Sequence, residues 1–293
     1  MSRLFKALKK IQETPPPVSQ VASPSTYERP PLARAPRRGP SLTGSAALEH
    51  MPVSSEDVEQ HLITLIAPTS FESEQYRILG HRIAQMHKDA NLQVLAISSP
   101  TVGDGKTTTA INLAGTLACT PGAHILLVEM DLRRPTMYEY LGLRHANQGG
   151  IVDAILDPAL ALKDVVLHYP PFNLSFLLAG QTLISPYDAL KLPRLGDLLA
   201  EARQRYDIIV VDTPPLIPLA DCRFIEQWVD GFLLIVSAYK TPRKLLEDAM
   251  HVVDPSKLIG LVLNKDEYIG RGYYSHYSYA ASTPETQRSS PRR

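Results

Sequence analysis

Cysteine is scarce in this chain. Its 293 residues include only Cys119 and Cys222, with no metal-ligand spacing between them. That excludes a disulfide framework and a cysteine-held zinc, and the two read as free thiols of a reducing cytosol. Charge of one sign has no surplus either: 30 Lys and Arg balance 30 Asp and Glu. No global field therefore argues for nucleic acid or a membrane as partner. Long apolar runs are also missing. None approaches the ~18 residues that a bilayer-spanning helix needs. The basic N-terminus has no uninterrupted apolar segment of the signal-peptide kind. Apolar content of 44 % is ordinary for a globular protein, and the length suggests one or two domains.

What is present centres on residues 92–118. Leu92 to Ser98 is rich in apolar residues and β-formers and predicts a buried strand. A small, flexible stretch follows, and Lys106-Thr107-Thr108-Thr109 then opens a helix with apolar positions at Ile111, Leu113, Leu117 and Ala118. Strand, glycine loop and Gly-Lys-Thr form a phosphate-binding P-loop. Gly103 and Gly105 allow the backbone to turn and approach an anion. The amides of about residues 103–108, Asp104 and Thr108 among them, would cradle phosphates at the positive end of the helix dipole. Lys106 would reach the β- and γ-phosphates, and the Thr107 hydroxyl would ligate Mg2+. Pro100 stands where the first glycine of the usual spacing would be. It lacks an N–H, but the cradle is built from later amides.

Residues 1–13 predict a short amphipathic helix, with Leu4, Leu8 and Ile11 on one face and Lys6, Lys9 and Lys10 elsewhere. It suits either a protein partner or an anionic membrane surface. Residues 14–54 are rich in Pro, Ser, Ala and Arg and predict a disordered linker. Order is expected from residue 55 to 266. Leu62–Ile66 reads as a short strand, Phe71 to about His87 as a helix, and His124–Met130 as a strand.

The stretch beyond that last strand carries Glu129, Asp131, Arg133 and Arg134, where ligands bind in a parallel α/β sheet. Strands are further expected at Leu174–Ala179, Tyr206–Asp212, Phe232–Val236 and Leu258–Asn264. Helices are expected entering at Gly150, over Leu195–Gln204 and at about 219–228 and 241–252. The strand ending in Asp212 has the pattern of a magnesium-holding carboxylate at a strand end. Alternating strands and helices predict an α/β fold with a mostly parallel sheet flanked by helices. Asn264-Lys265-Asp266-Glu267 departs from the guanine-reading Asn-Lys-x-Asp at its last residue and is not read as one. Residues 267–293 read as a flexible tail. Its Tyr268, Tyr273, Tyr274, Tyr277 and Tyr279 serve neither a helical nor a strand face and are candidate phosphoacceptors.

P-loop, second acidic motif, Asp212 strand and tyrosine cluster together resemble the bacterial tyrosine kinases of the CpsD/CapB type and the cytoplasmic domain of Wzc-like proteins, over about residues 60–280. Similar features include Leu62-Ile63-Thr64 before Glu74-Gln-Tyr-Arg77, Asp131-Leu-Arg133-Arg134-Pro135, the Gly180–Pro186 segment, Asp212-Thr-Pro-Pro and Gly260-Leu-Val-Leu-Asn264. The resemblance implies a P-loop NTPase fold related to ParA and MinD. It implies ATP-dependent autophosphorylation of the tail tyrosines in trans, with Asp131 as base, Thr107, Asp212 and Asp131 on magnesium, and Asn264 near adenine. It also implies self-association, a membrane chain-length regulator (Wzz-type) as activator at the cytoplasmic face of the inner membrane, a cognate tyrosine phosphatase, and control of capsule or exopolysaccharide export.

Two positions depart from the family pattern. Glu129 stands where the second motif normally begins with Asp, and Gly80 replaces the second arginine of Glu-x-x-Arg-x-x-Arg. Two rival readings remain. One is a ParA/MinD-type ATPase switch, although Thr101 stands where that class has its signature lysine. The other is a nucleotide-binding pseudokinase scaffold.

Overall fold

The computed structural model describes residues 62–143, 149–169, 173–217 and 219–266. The N-terminal helix and linker expected from the sequence, and the tyrosine cluster, lie outside the described residues.

A four-residue helix α1 (Ile63–Ile66) comes first, then α2 (Phe71–Ala90) and β1 (Val94–Ser98). The P-loop helix α3 (Lys106–Ala118) and β2 (Ile125–Glu129) follow, then α4 (Met137–Tyr140), α5 (Ile151–Leu156) and α6 (Leu162–Val165). Next are β3 (Leu167–Tyr169), β4 (Leu174–Leu177), α7 (Pro186–Leu190), α8 (Arg194–Arg205) and β5 (Ile208–Asp212). The described chain closes with α9 (Asp221–Ile225), β6 (Gly231–Ser237), α10 (Arg243–Val252) and β7 (Leu258–Asn264).

The strands form one seven-stranded sheet in the order β3-β4-β2-β5-β1-β6-β7. All neighbours are parallel except β3, which pairs antiparallel with β4. Every residue of β1, β2, β4, β5 and β6 is buried. Helices cover both faces, so these strands read as continuous apolar runs and not as alternations. Alternate residues of β1 enter different cores: Val94 and Ala96 pack with α5 to α10, and Leu95 and Ile97 pack with α2 and α3.

One expectation is corrected. Leu62–Ile66 is not a strand; its last four residues form α1. A short apolar run has no periodicity that separates the two states. Here the deciding contacts come from α3: Thr64 N–H and Thr64 Oγ1 both donate to Asn112 Oδ1 at 2.9 Å, which seats the turn on the P-loop helix. Helix α2 begins at Ser70, whose hydroxyl accepts from Ser73 N–H, and ends at Asn91 in the left-handed region. Gly80 of α2 faces inward, where an added Cβ would meet Thr116 Cγ2 of α3 at 2.9 Å. An arginine at this position would have to enter the helix–helix contact, so its absence has a packing reason. The outer face of α2 instead presents Arg77, Ile78, His81, Arg82 and Gln85 around a shallow hollow.

The amino-terminal end of the sheet is tied by Asp230. Its Oδ2 accepts from the N–H groups of Gln93 and Val94 and from Arg203 Nη1, all at 2.8–2.9 Å. Burial alone would raise this carboxyl; the Arg203 guanidinium and the two amides hold it below the ordinary value. Asp230→Ala would leave a guanidinium and two amides facing a void. The expected cost is about 3–5 kcal/mol of folding stability, checked by urea unfolding.

Candidate active site

Three strand ends meet beside the P-loop. In the register of the sheet Asp212 lies opposite Ile97 of β1 on one side and Glu129 of β2 on the other. The loops after β1, β2 and β5 therefore open together at the carboxyl edge, the position where open α/β sheets bind ligands.

The P-loop turns through two glycines with positive φ, Gly103 at 82° and Gly105 at 97°. A Cβ at Gly105 would sit 2.2 Å from Asn264 Nδ2, so only glycine fits there. Asp104 is fully buried and holds the loop's shape. Its Oδ2 accepts from Thr101 N–H and Thr101 Oγ1, and its Oδ1 accepts from Thr241 Oγ1 at 2.7 Å. The end of β7 braces the same loop: Asn264 Nδ2 donates to the Asp104 carbonyl at 2.9 Å, and Lys265 Nζ donates to the Gly103 carbonyl at 3.0 Å. Asn264 is thus in contact with the loop itself, and the Asn264-Lys265 pair set aside in the sequence has a physical task. Thr108 lies in the first turn of α3, where its carbonyl accepts from Asn112 Nδ2.

Lys106 is buried, and its Nζ lies 4.0 Å from Asp131 Oδ2. Thr107 Oγ1 donates to Asp212 Oδ2 at 2.7 Å. The other oxygen, Asp212 Oδ1, is buried with no hydrogen-bond partner among the described residues. Burial pushes the Asp212 carboxyl up to about 7; Lys106 and Thr107 pull against this, while Asp131 and Glu129 add to it. Asp131 is also raised, by burial first, with Lys106 opposing. A buried carboxylate with a free oxygen, next to a threonine hydroxyl and a second acid, is a donor set that suits a hard divalent cation.

Glu129 and Arg133 are turned to other work. Glu129 Oε1 accepts from the N–H groups of Thr136 and Met137, and Oε2 accepts from Ala179 N–H. Both oxygens are committed to loop backbone, and burial raises the carboxyl despite these bonds. The extra methylene relative to aspartate gives the reach for this role. Arg133 forms a two-pronged pair with Asp221, Nε to Oδ2 at 2.6 Å and Nη2 to Oδ1 at 2.9 Å. Lys106, Thr107, Asp131 and Asp212 converge, whereas Glu129, Arg133, Asp104 and Asn264 hold the surrounding loops. Asp221 and Thr241 were not singled out in the sequence, and Lys265 was named there only within the guanine-reading comparison that was set aside. None belongs to a local motif, and only the convergence of strand ends brings them to the site.

The AAA domain family matches residues 92–225, from β1 to α9. The tyrosine-protein kinase YwqD of Bacillus subtilis (strain 168) is 29 % identical over 222 residues, covering 75 % of this chain and 92 % of that protein. The succinoglycan biosynthesis transport protein ExoP of Rhizobium meliloti (strain 1021) is 29 % identical over 224 residues, covering 74 % of this chain but 28 % of that longer protein. Among solved structures, the BceF tyrosine kinase domain superposes with a TM-score of 0.61 at 26 % identity, covering 69 % of this chain and 81 % of that one. With a P-loop at the carboxyl edge of a mostly parallel sheet, the chain is similar in both sequence and structure to bacterial tyrosine kinases.

Proposed function

We propose that this chain is an ATP-dependent protein-tyrosine autokinase that regulates capsular or exopolysaccharide synthesis and export. The observation that carries the reading is the cluster of Lys106, Thr107, Asp131 and the half-unpartnered Asp212 around one P-loop.

The donor set fits magnesium, with Thr107 and Asp212 as ligands and Asp131 beside them. When bound, the ion supplies neutralisation of charge on the β- and γ-phosphates. The backbone amides of residues 103–108 cradle the phosphate chain, and Lys106 Nζ stabilises charge on the γ-phosphoryl group as it transfers. Asp131 Oδ2 takes the phenolic proton of the attacking tyrosine. The phenol has an ordinary pKa of about 10 and arrives neutral, so the step needs an acceptor or a loose transition state. The raised carboxyl of Asp131 narrows the gap between donor and acceptor. Asp104, Asn264 and Lys265 keep the loop in its cradle shape before nucleotide arrives.

The acceptors in this reading are Tyr268, Tyr273, Tyr274, Tyr277 and Tyr279, modified in trans between copies. Each phosphate adds about −1.5 to −2 charges, so a modified tail repels its neighbours and disperses an assembly. The partners are a second copy, a Wzz-type membrane activator and a cognate tyrosine phosphatase, with the chain held at the cytoplasmic face of the inner membrane. Among the described residues no helix is long and apolar enough to cross a membrane, which suits recruitment through a partner.

The test is the intact mass of purified protein after incubation with Mg-ATP, with and without the cytoplasmic tail of a candidate activator. Successive additions of one phosphate that map to residues 268–279 are expected. ATP hydrolysis with no phosphate added, activator present, would instead make the chain an ATPase switch or a scaffold.

A further inference from the structure

The loop that carries Asp131 is pinned at three places. At its start, Met130 N–H donates to the Asp212 carbonyl at 2.7 Å. At its end, the N–H groups of Thr136 and Met137 donate to Glu129 Oε1 at 2.8 and 2.7 Å. Both of these anchors belong to the strands on which the loop is built. The middle anchor does not. Arg133, two residues after Asp131, reaches across to Asp221 at the start of α9, in the segment that follows β5.

Asp221 is 2 % exposed, and its two oxygens receive two N–H groups of one guanidinium. A buried carboxylate matched by a planar fork is a rigid joint, because both distance and orientation are fixed. The electrostatics agree with the geometry: the Asp221 charge raises the carboxyl of Asp131 and stabilises the charged form of Arg133.

We propose that Asp221 is a positioning residue for phosphoryl transfer: through Arg133 it fixes the loop that sets Asp131 4.0 Å from Lys106, and so holds the base in line with the P-loop. The inference rests on the kinase reading for the identity of the transferred group. It adds a residue outside every motif of the sequence and gives Arg133 an anchoring task instead of contact with phosphate. Binding of ATP, carried by the P-loop and Lys106, does not depend on the joint. Placement of the proton acceptor does. A displacement of ~1 Å at a reacting group costs about 100-fold in rate.

The variants are Asp221→Asn, which keeps the shape and removes the charge, and Arg133→Lys, which keeps the charge and removes the fork. Three readouts are taken on the full chain with Mg-ATP and activator: tyrosine phosphorylation rate against ATP concentration, nucleotide affinity by a fluorescent ATP analogue, and hydrogen exchange of the amides of residues 131–136. Expected for both variants are a fall of kcat by about 10- to 100-fold, a KM for ATP and an analogue affinity within about threefold of the parent, and faster exchange confined to that loop. If Asp221→Asn is too unstable to purify, Arg133→Lys decides alone.

Unchanged kcat and unchanged loop exchange would overturn the proposal. So would equal losses in nucleotide affinity and rate, since these would mark Asp221 as a general support of the fold. If the parent protein itself places no phosphate on tyrosine, the kinase reading fails. The loop exchange and the ATP hydrolysis rate of the variants then still decide whether the joint positions Asp131.

Discussion

Asp212→Asn should abolish phosphate transfer and, at the same time, make the nucleotide-free protein more stable at pH 8. The two effects have one cause. The Asp212 carboxyl is fully buried with an unpartnered oxygen, and burial lifts it to about 7, against about 3.9 in an unfolded chain. For a carboxyl raised in the fold, the native state holds a proton that the unfolded state has lost throughout the interval between those two values. Stability therefore falls as pH rises from about 4 to about 7, and the loss is complete above pH 7. Its size is on the order of a few kcal/mol, as expected of a fully buried charge.

Asparagine removes that charge without changing the shape. The melting temperature should rise by several degrees at pH 8, and the gain should shrink at pH 5 and vanish below about pH 4, where the parent carboxyl is protonated in both states. Thermal unfolding scans at these pH values check this. Transfer activity should fall by at least about 10³-fold, because the amide cannot hold the cation. A variant that is less stable than the parent at pH 8 would mean that the buried oxygen is satisfied in the resting protein.

Lys106→Met carries the other large effect. The lysine is buried, with its ammonium 4.0 Å from Asp131 Oδ2 and acting on the carboxyl of Asp212. Methionine matches its length and flexibility and removes only the charge. Transfer should fall below detection, a loss of at least about 10³-fold, because the transferring phosphoryl group loses its cation. A second signature distinguishes this from simple misfolding. The ammonium lowers the carboxyls of both Asp131 and Asp212, so without it both rise further. By the same sign, the variant's stability should fall more steeply than the parent's as pH rises through neutrality. Intact mass after Mg-ATP incubation reads the first effect, and unfolding scans between pH 5 and 8 read the second. Retained phosphorylation would move the essential cation elsewhere, with Lys240 and Lys265 beside Gly103 as the nearest alternatives.

The strands at the centre of the sheet were legible because both faces are covered. Val94–Ser98, Ile125–Glu129, Ile208–Asp212 and Gly231–Ser237 are apolar runs that admit few other fates. The edge was less legible. β3, Leu167–Tyr169, is three residues long and half-buried, too short for any period to show. α1 was misread because its state is set by Asn112, 48 residues away. At the site, the residues that touch nucleotide in a P-loop lie close together in sequence and announce themselves. Asp221 and Thr241 act through contacts across 88 and 137 residues. Nothing local distinguishes such an aspartate or threonine from any other. Glu129 is intermediate: its position was apparent, but its commitment to the amides of Thr136, Met137 and Ala179 depends on where those loops return.

The bond from Lys265 to the Gly103 carbonyl places the end of β7 directly on the phosphate loop. In the autokinase reading proposed above, the acceptor tyrosines thereby follow the catalytic centre closely in sequence, on leashes of graded length. Counted along a fully extended chain, Tyr268 is three residues and at most about 11 Å beyond Lys265, and Tyr279 is fourteen residues and at most about 50 Å. Short leashes give high local concentration over a small volume, and long ones give lower concentration over a volume that includes neighbouring molecules. If the tail is modified in trans as proposed, the order in which the five hydroxyls reach a second copy should follow their spacing from a single lysine.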